Sequence, residues 1–160
     1  MDTLTLTSEA FAAGDLIPTT YSCEGENVNP PLEISNTPEG TISLVIIVED
    51  PDIPTAVKEK MGIDIFDHWI AYNIPPSTTE IEADTPIGTQ GANSSGKTGY
   101  TGPCPPKDHE PTEHRYIFSV YALDTTLDLS EGVTKPELQK EMVGHVIEIA
   151  ELIGRYEKQH

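Results

Sequence analysis

At 160 residues and 17.4 kDa the chain has the size of one domain with a sizeable core, and residues 1–160 read as a single unit. Its 27 acidic against 9 basic residues give a formal charge of -18, a field that repels nucleic-acid backbones and anionic membrane surfaces and also suits a salt-rich cytoplasm. Apolar residues make up 36%, and 14 Pro and 12 Gly lie between short apolar runs, which argues against disorder and for many short strands joined by turns.

The start, Met1-Asp2-Thr3-Leu4, lacks the basic and apolar regions of a secretory signal, and no run approaches the ~18 apolar residues of a membrane span. A cytoplasmic location is therefore expected. Cys23 and Cys104, both in Gly/Pro-rich segments, are too few for a disulfide framework or a four-ligand zinc site. In a reducing cytoplasm free thiols are the first expectation, with pairing the alternative if the fold brings the two together.

The β-branched run Ile42 to Val48, bounded by Gly40 and Pro51, predicts a central buried strand whose end delivers Asp50 and Asp52 to a rim. Thr55 to Met61 carries good helix formers and a glycine stop at Gly62, which predicts one or two helical turns. Phe66 to Ile74 predicts a second strand, stopped by Pro75-Pro76. Alternation there puts His68, Ile70 and Tyr72 on one face, and Trp69 and Ala71 on the other. The third strand, His114 to Leu123, groups His114, Tyr116, Phe118 and Val120. One histidine per strand thus begins a face that turns apolar, as at a pocket mouth over a core. Thr134 and Glu137 spell a capping box, with Pro136 near the start, and Leu138, Met142, Val146, Ile149 and Ile153 form an apolar stripe. This predicts a C-terminal helix packed on the sheets.

Gly91-Ala92-Asn93-Ser94-Ser95-Gly96-Lys97-Thr98 matches the phosphate-loop pattern at every position, but that mechanism needs a strand entering and a helix leaving. Thr85 to Gln90 is no strand, and Gly99 to Pro106 cannot be helical, so a restricted surface loop is expected. Asn93-Ser94-Ser95, a glycosylation triplet, reads as a chance match in that loop.

His68 and His114 near Asp50 and Asp52 could make a two-histidine, one-carboxylate metal site, or the carboxylates could orient the imidazoles toward an anion. No His-x-His or His-x-x-x-His pairing supports a metal, His109, His145 and His160 have no motif around them, and no Gly-x-Ser-x-Gly elbow presents a nucleophile. The expectation is an anion site with neither metal nor cofactor, and the chain is not expected to be an enzyme.

The ordered set Cys23 to Leu32, Asp50-Pro51-Asp52, His68-Trp69, Gly96 to Pro106 and His114 to Phe118 resembles the phosphatidylethanolamine-binding protein (PEBP) family, in particular its bacterial and archaeal Raf-kinase-inhibitor-like branch. The resemblance covers nearly the whole chain. It implies a mainly β fold, a Greek-key sandwich of two antiparallel sheets with a short helix and a C-terminal helix. It also implies a small cavity for phosphate or phosphorylated head groups, with Asp50, Asp52, His68, Tyr100, Gly102, His114 and Tyr116 as the matching positions. The phosphate-loop match becomes the family's Gly-Lys-x-Gly-Tyr loop. Three departures stand out: the segment between Asp52 and His68, Glu24 where many members have Asp, and Cys104 within the pocket loop.

The resulting expectation is a binding module for a small phosphorylated or anionic ligand, whose surface inhibits a kinase or protease by docking, as in some members. A homodimer is expected by analogy with prokaryotic members. The alternatives are a hydrolase with His68 and His114 as acid and base, and a metal-binding protein. Phosphate affinity is expected to fall as pH rises through the histidine pKa, ~6.5 when unperturbed, because imidazolium donors become neutral.

Overall fold

The computed structural model describes residues 2–160; Met1, with which the leader reading began, lies outside the described residues. In chain order the elements are β1 (Thr5–Thr7), β2 (Leu32–Ser35), β3 (Ser43–Asp50), α1 (Thr55–Met61), β4 (Phe66–Ile74), β5 (Glu80–Ile81), β6 (Thr89–Gln90), β7 (Glu113–Leu123), α2 (Lys135–Met142) and β8 (Val146–Glu157). They form two antiparallel sheets, β1-β2-β5 and β6-β4-β3-β7-β8. β3 lies between β4, which follows it in sequence, and β7, which returns to its other side after a long connection, the non-sequential pairing of a Greek key.

β3 is a continuous apolar run because both of its faces are covered. Leu44, Ile46 and Val48 pack with Leu6, Leu32 and Ile34 of the small sheet, while Val45 and Ile47 meet Leu138 and Met142 of α2. A strand buried on both sides has no polar face, so alternation disappears from its sequence. Phe118 of β7, fully buried, fills the space between the sheets and meets Phe11 at a ring separation of 5.6 Å.

α1 ends as the sequence indicates, with Gly62 at φ 69° in the left-handed region that favours glycine. α2 begins at the capping box, where the Glu137 carboxylate accepts the Thr134 amide at 3.1 Å. The helix expected to run on to Ile153 stops at Met142, however. Val143 leaves the helical region, Gly144 takes φ 83°, and Val146–Glu157 pairs with β7 from Leu123↔Val146 to Glu113↔Glu157. Val146, Ile147, Ile149 and Ile153 are β-branched, which disfavours a helix, and the β7 ladder satisfies their backbone along its length.

The phosphate-loop look-alike is a tight turn and not a cradle. Ala92 bridges Thr98, the Asn93 amide donates to the Lys97 carbonyl at 2.8 Å, and the Asn93 side chain donates to the Gly99 carbonyl at 2.9 Å. No helix continues directly from it, as the phosphate-loop mechanism requires; the chain runs on to β7 without one. The Asn93 amide of the glycosylation triplet is buried in this turn. No helix among the described residues is long and apolar enough to cross a membrane.

Truncating Phe118 to Ala should cost ~3–5 kcal/mol through lost burial and the cavity left between the sheets. Urea denaturation checks this; a loss under ~1 kcal/mol would mean that the core between the sheets is not packed as described.

Candidate functional site

The site begins with a break in the β3–β4 ladder. Glu49 pairs with Asp67 and Val48 with Trp69, which leaves His68 as an extra residue on β4. This bulge changes the side-chain parity. Asp67 turns to the helix-covered face, where it meets Lys135 at 2.6 Å, and Trp69 joins the core between the sheets. His68 is therefore not aligned with Ile70 and Tyr72, as simple alternation predicted; it lines a cavity on the opposite face, beside Tyr116.

The backbone freed by the bulge is satisfied by the loop that follows β6. The Thr101 amide donates to the His68 carbonyl at 2.9 Å, and Ser94 exchanges 2.8 Å hydrogen bonds with both backbone groups of Asp67. The turn that mimics a phosphate loop thus props the bulge that aims His68.

The cavity holds about 190 Å³ and is walled by Ile53, Pro54 and Val57 on one side, Pro105 and Pro106 on another, and Phe66, with Asp50, His68, His114 and Tyr116 supplying its polar groups. The apolar wall from Ile53 to Val57 belongs to the segment that departs from the family pattern.

Asp50 is 2% exposed and His114 1%. The His114 Nδ1–H donates to Asp50 Oδ2 at 2.6 Å and its Nε2–H to the Pro111 carbonyl at 2.8 Å. A ring that donates from both nitrogens is an imidazolium. Burial opposes that charge, but the hydrogen bond and charge of Asp50, helped by the Pro111 carbonyl, prevail and hold the His114 pKa above its ordinary value. Asp50 Oδ1 accepts the Asp52 amide at 2.7 Å, so each carboxylate oxygen has one donor.

His68, 5% exposed, is the opposite case. Its Nδ1–H donates to the Thr101 carbonyl at 2.7 Å, and burial, against the opposing pull of that carbonyl and of Asp50, brings its pKa down to about 4. At neutral pH the ring is uncharged and its Nε2 carries a lone pair with no hydrogen-bond partner among the described residues. The Tyr116 hydroxyl, in a residue 1% exposed, is buried without a hydrogen-bond partner. Burial raises its pKa, as do the charge of Asp50 and the approach of that carboxylate to the hydroxyl, so it remains a phenol; the approach falls short of a hydrogen bond of full geometry.

The structure therefore brings Asp50, His68, Gly102, His114 and Tyr116 to one cavity and leaves Asp52 and Tyr100 outside it. Asp52 is held on the rim by Arg115, whose Nε and Nη2 donate at 2.9 and 2.8 Å; this pairing lowers the Asp52 pKa. The Tyr100 hydroxyl donates to the Tyr21 carbonyl at 2.7 Å, and its ring lines a separate cleft with Asn27 and Trp69. Gly102 offers no free amide, since its N–H donates to Asn27 Oδ1 at 2.7 Å. A Cβ there would stand 2.1 Å from the Tyr21 carbonyl oxygen, so only glycine fits. Glu24 does not reach the cavity; it accepts the Gln159 and His160 amides at 2.8 and 2.9 Å and so holds the end of the chain.

Cys23 and Cys104 are joined in a disulfide, against the first expectation of free thiols. Their loops meet because the Cys23 amide donates to the Pro103 carbonyl at 3.0 Å and the Cα atoms stand 5.4 Å apart, within bridging distance. Sequence reasoning held this tie only as the alternative to free thiols, and it missed the Thr101 and Pro111 carbonyls and the Phe66 wall, although Phe66 lies two residues before His68 in a strand it had identified.

Opposite pH responses follow from the two histidines. His68, depressed to about 4, contributes stability that is complete above the unfolded pKa of ~6.5 and is lost as pH falls toward 4, a total of about 3 kcal/mol. His114, whose pKa is raised, contributes stability that is complete below ~6.5 and is lost as pH rises through its folded value. In urea denaturation, His68→Asn should remove the excess acid loss and keep the alkaline one; parallel acid limbs in the two proteins would dismiss His68 as the cause. Asp50→Asn should cost ~3–5 kcal/mol at pH 7, because it strands a buried imidazolium.

A family profile described as "Phosphatidylethanolamine-binding protein" matches residues 7–157. The UPF0098 protein PH1269 of Pyrococcus horikoshii is 49% identical over 160 residues, covering 94% of this chain and 75% of that protein. A crystal structure of a putative PEBP homolog from Chlamydia trachomatis superposes with a TM-score of 0.91 at 45% identity, covering 99% of this chain and 100% of the other. E. coli YbcL, described as a new member of the mammalian PEBP family, gives 0.85 at 31% identity, covering 99% and 100%. With the family profile spanning nearly all of both sheets and every residue that lines the cavity, the chain belongs to the phosphatidylethanolamine-binding protein family.

Proposed function

We propose that the cavity binds a small oxyacid that still carries a proton, such as the monoanion of a phosphate monoester, and that the protein is a binding module. The observation that carries this reading is the Tyr116 hydroxyl, a buried donor without a partner beside a cavity. Leaving such a group unmet costs about 1–3 kcal/mol, and a ligand oxygen would satisfy it.

The remaining polar groups define the ligand by subtraction. Asp50 and His114 cancel each other's charge; both His114 hydrogens are engaged, and what Asp50 has left are lone pairs that can only accept. His68 Nε2 can only accept. The complementary ligand therefore gives one hydrogen to His68 and takes one from Tyr116. A phosphate monoester does both while singly protonated, and its second ionisation, near pH 6, removes the hydrogen that His68 needs. A cavity of about 190 Å³ suits a head group and excludes a whole lipid.

Binding fits the geometry better than hydrolysis. Both His114 nitrogens are engaged and the one cysteine of the cavity is in the disulfide, which takes away the His68–His114 acid–base pair and a thiol nucleophile. The metal alternative meets the same obstacle, since His114 has no lone pair to offer.

Calorimetry with phosphoethanolamine and with sulfate separates this reading from an imidazolium site. Phosphoethanolamine affinity should be level below pH ~6 and weaken by about tenfold per unit above it, tracking the proton on the ligand. Sulfate, ionised throughout, should bind at least about tenfold more weakly at pH 6 and show a flat profile from 5.5 to 8. Overlapping profiles for the two anions would overturn the reading. Tyr116→Phe should weaken phosphoethanolamine by about tenfold while leaving stability equal or higher by ~1 kcal/mol, since the unmet donor is gone.

A further inference from the structure

The cavity wall opposite α1 is held by unequal ties. Its first part is fixed several times over: the Tyr100 hydroxyl on the Tyr21 carbonyl, the Thr101 amide and carbonyl on His68, and the Gly102 amide on Asn27. Beyond Pro103 these ties end. The next main-chain anchor is the Pro111 carbonyl, which accepts from His114, and β7 begins at Glu113. Between them Cys104, Pro105 and Pro106 line the cavity, and the disulfide to Cys23 is the tie that holds them. Both cysteines are exposed to solvent, so a small reductant can reach the bond.

We propose that the Cys23–Cys104 disulfide is a redox clamp on this wall: a dithiol reductant opens it, frees Cys104 to Pro106 and weakens the ligand site. The inference rests on the oxyacid reading of the cavity and adds its regulation. The chemistry is thiol–disulfide exchange. A thiolate of the reductant attacks one cysteine sulfur, the S–S bond breaks and a mixed disulfide forms; the second thiol of the reductant then displaces the remaining cysteine. The protein gains two electrons and two protons as two thiols, and the reductant leaves as a disulfide. A reducing cytoplasm supplies such dithiols.

Reduction leaves the sandwich and the Asp50–His114 pair in place, because the Pro111 carbonyl that His114 holds lies beyond the freed segment Cys104 to Pro106. The wall samples open conformers, and the competent fraction falls. If closed conformers drop to about one tenth, the Kd rises about tenfold.

The test compares oxidised protein, dithiothreitol-reduced protein and the Cys23→Ser/Cys104→Ser double variant, with inorganic phosphate at pH 5.5 as probe and backbone order parameters from NMR relaxation as a ligand-free readout. Reduction should weaken phosphate by about tenfold and lower the order parameters at Cys104 and Lys107, but not at Thr101. The double variant should match the reduced form and ignore dithiothreitol, with circular dichroism confirming its fold. Equal phosphate affinity in oxidised and reduced protein would overturn the clamp. If phosphate binds neither form, the ligand reading fails and the order parameters alone decide the clamp: a drop at Cys104 and Lys107 supports it, and unchanged values overturn it.

Discussion

The buried pair of Asp50 and His114 joins the end of β3 to the start of β7, and most of the site's geometry follows from it. A carboxylate and an imidazolium can stay out of water only if their mutual attraction and their other hydrogen bonds make up for lost hydration. Here the other bonds are specific: Asp50 also accepts the Asp52 amide, which sets the turn after β3, and His114 also donates to the Pro111 carbonyl, which sets the approach to β7. One ion pair thereby fixes two loop conformations at the cavity rim. It also leaves the cavity without a free charge.

The second constraint is the bulge at His68. A regular β4 would have sent this ring with Asp67's neighbours toward the helix-covered face, where Ile70 and Tyr72 pack. One inserted residue sends it into the cavity instead, at the cost of unpaired backbone groups that the Ser94 and Thr101 loop then satisfies. The Gly91–Thr98 segment acquires a physical purpose in this way: its turn places Ser94 against β4 and leads into Thr101. His68 is held neutral by its burial in the same arrangement, which outweighs the opposing pull of the Thr101 carbonyl on its Nδ1–H.

Much of this was legible in the sequence, and what was not shares a cause. β3, β4, β7, α1 and the start of α2 announce themselves through local composition, periodicity and caps. The C-terminal segment deceived because Leu138, Met142, Val146 and Ile153 fall on a helical stripe, whereas the β-branched residues from Val146 onward gain more from the β7 ladder, a partner distant in sequence. The bulge is invisible for the same reason, since it is a property of the pairing between β3 and β4 and not of either strand alone. Asp52, Tyr100 and Gly102 were found by motif, but a motif does not show that Arg115, the Tyr21 carbonyl and Asn27 already engage their polar groups. The disulfide likewise depends on two loops meeting across 81 residues of chain.

For the oxyacid proposed as ligand, a net charge of -18 is an obstacle, and the distribution of hydrogens in the cavity is the answer that proposal gives to it. The long-range field disfavours anions, but at physiological ionic strength it is screened beyond about 8 Å, so the decision falls to the groups lining the cavity. A site that offered a bare imidazolium would gain from a dianion yet would have to keep that cation buried when empty, beside a second imidazolium at His114. Keeping His68 neutral avoids this repulsion and moves the proton requirement onto the ligand. Proton-bearing acids then match both Nε2 and the Tyr116 hydroxyl, whereas fully ionised ones bring a second negative charge and an oxygen where an acceptor already stands. Under the proposed reading, selectivity in such a cavity comes from the hydrogen count of the ligand more than from its charge, a discrimination that an acidic protein can make without any free cation in the pocket.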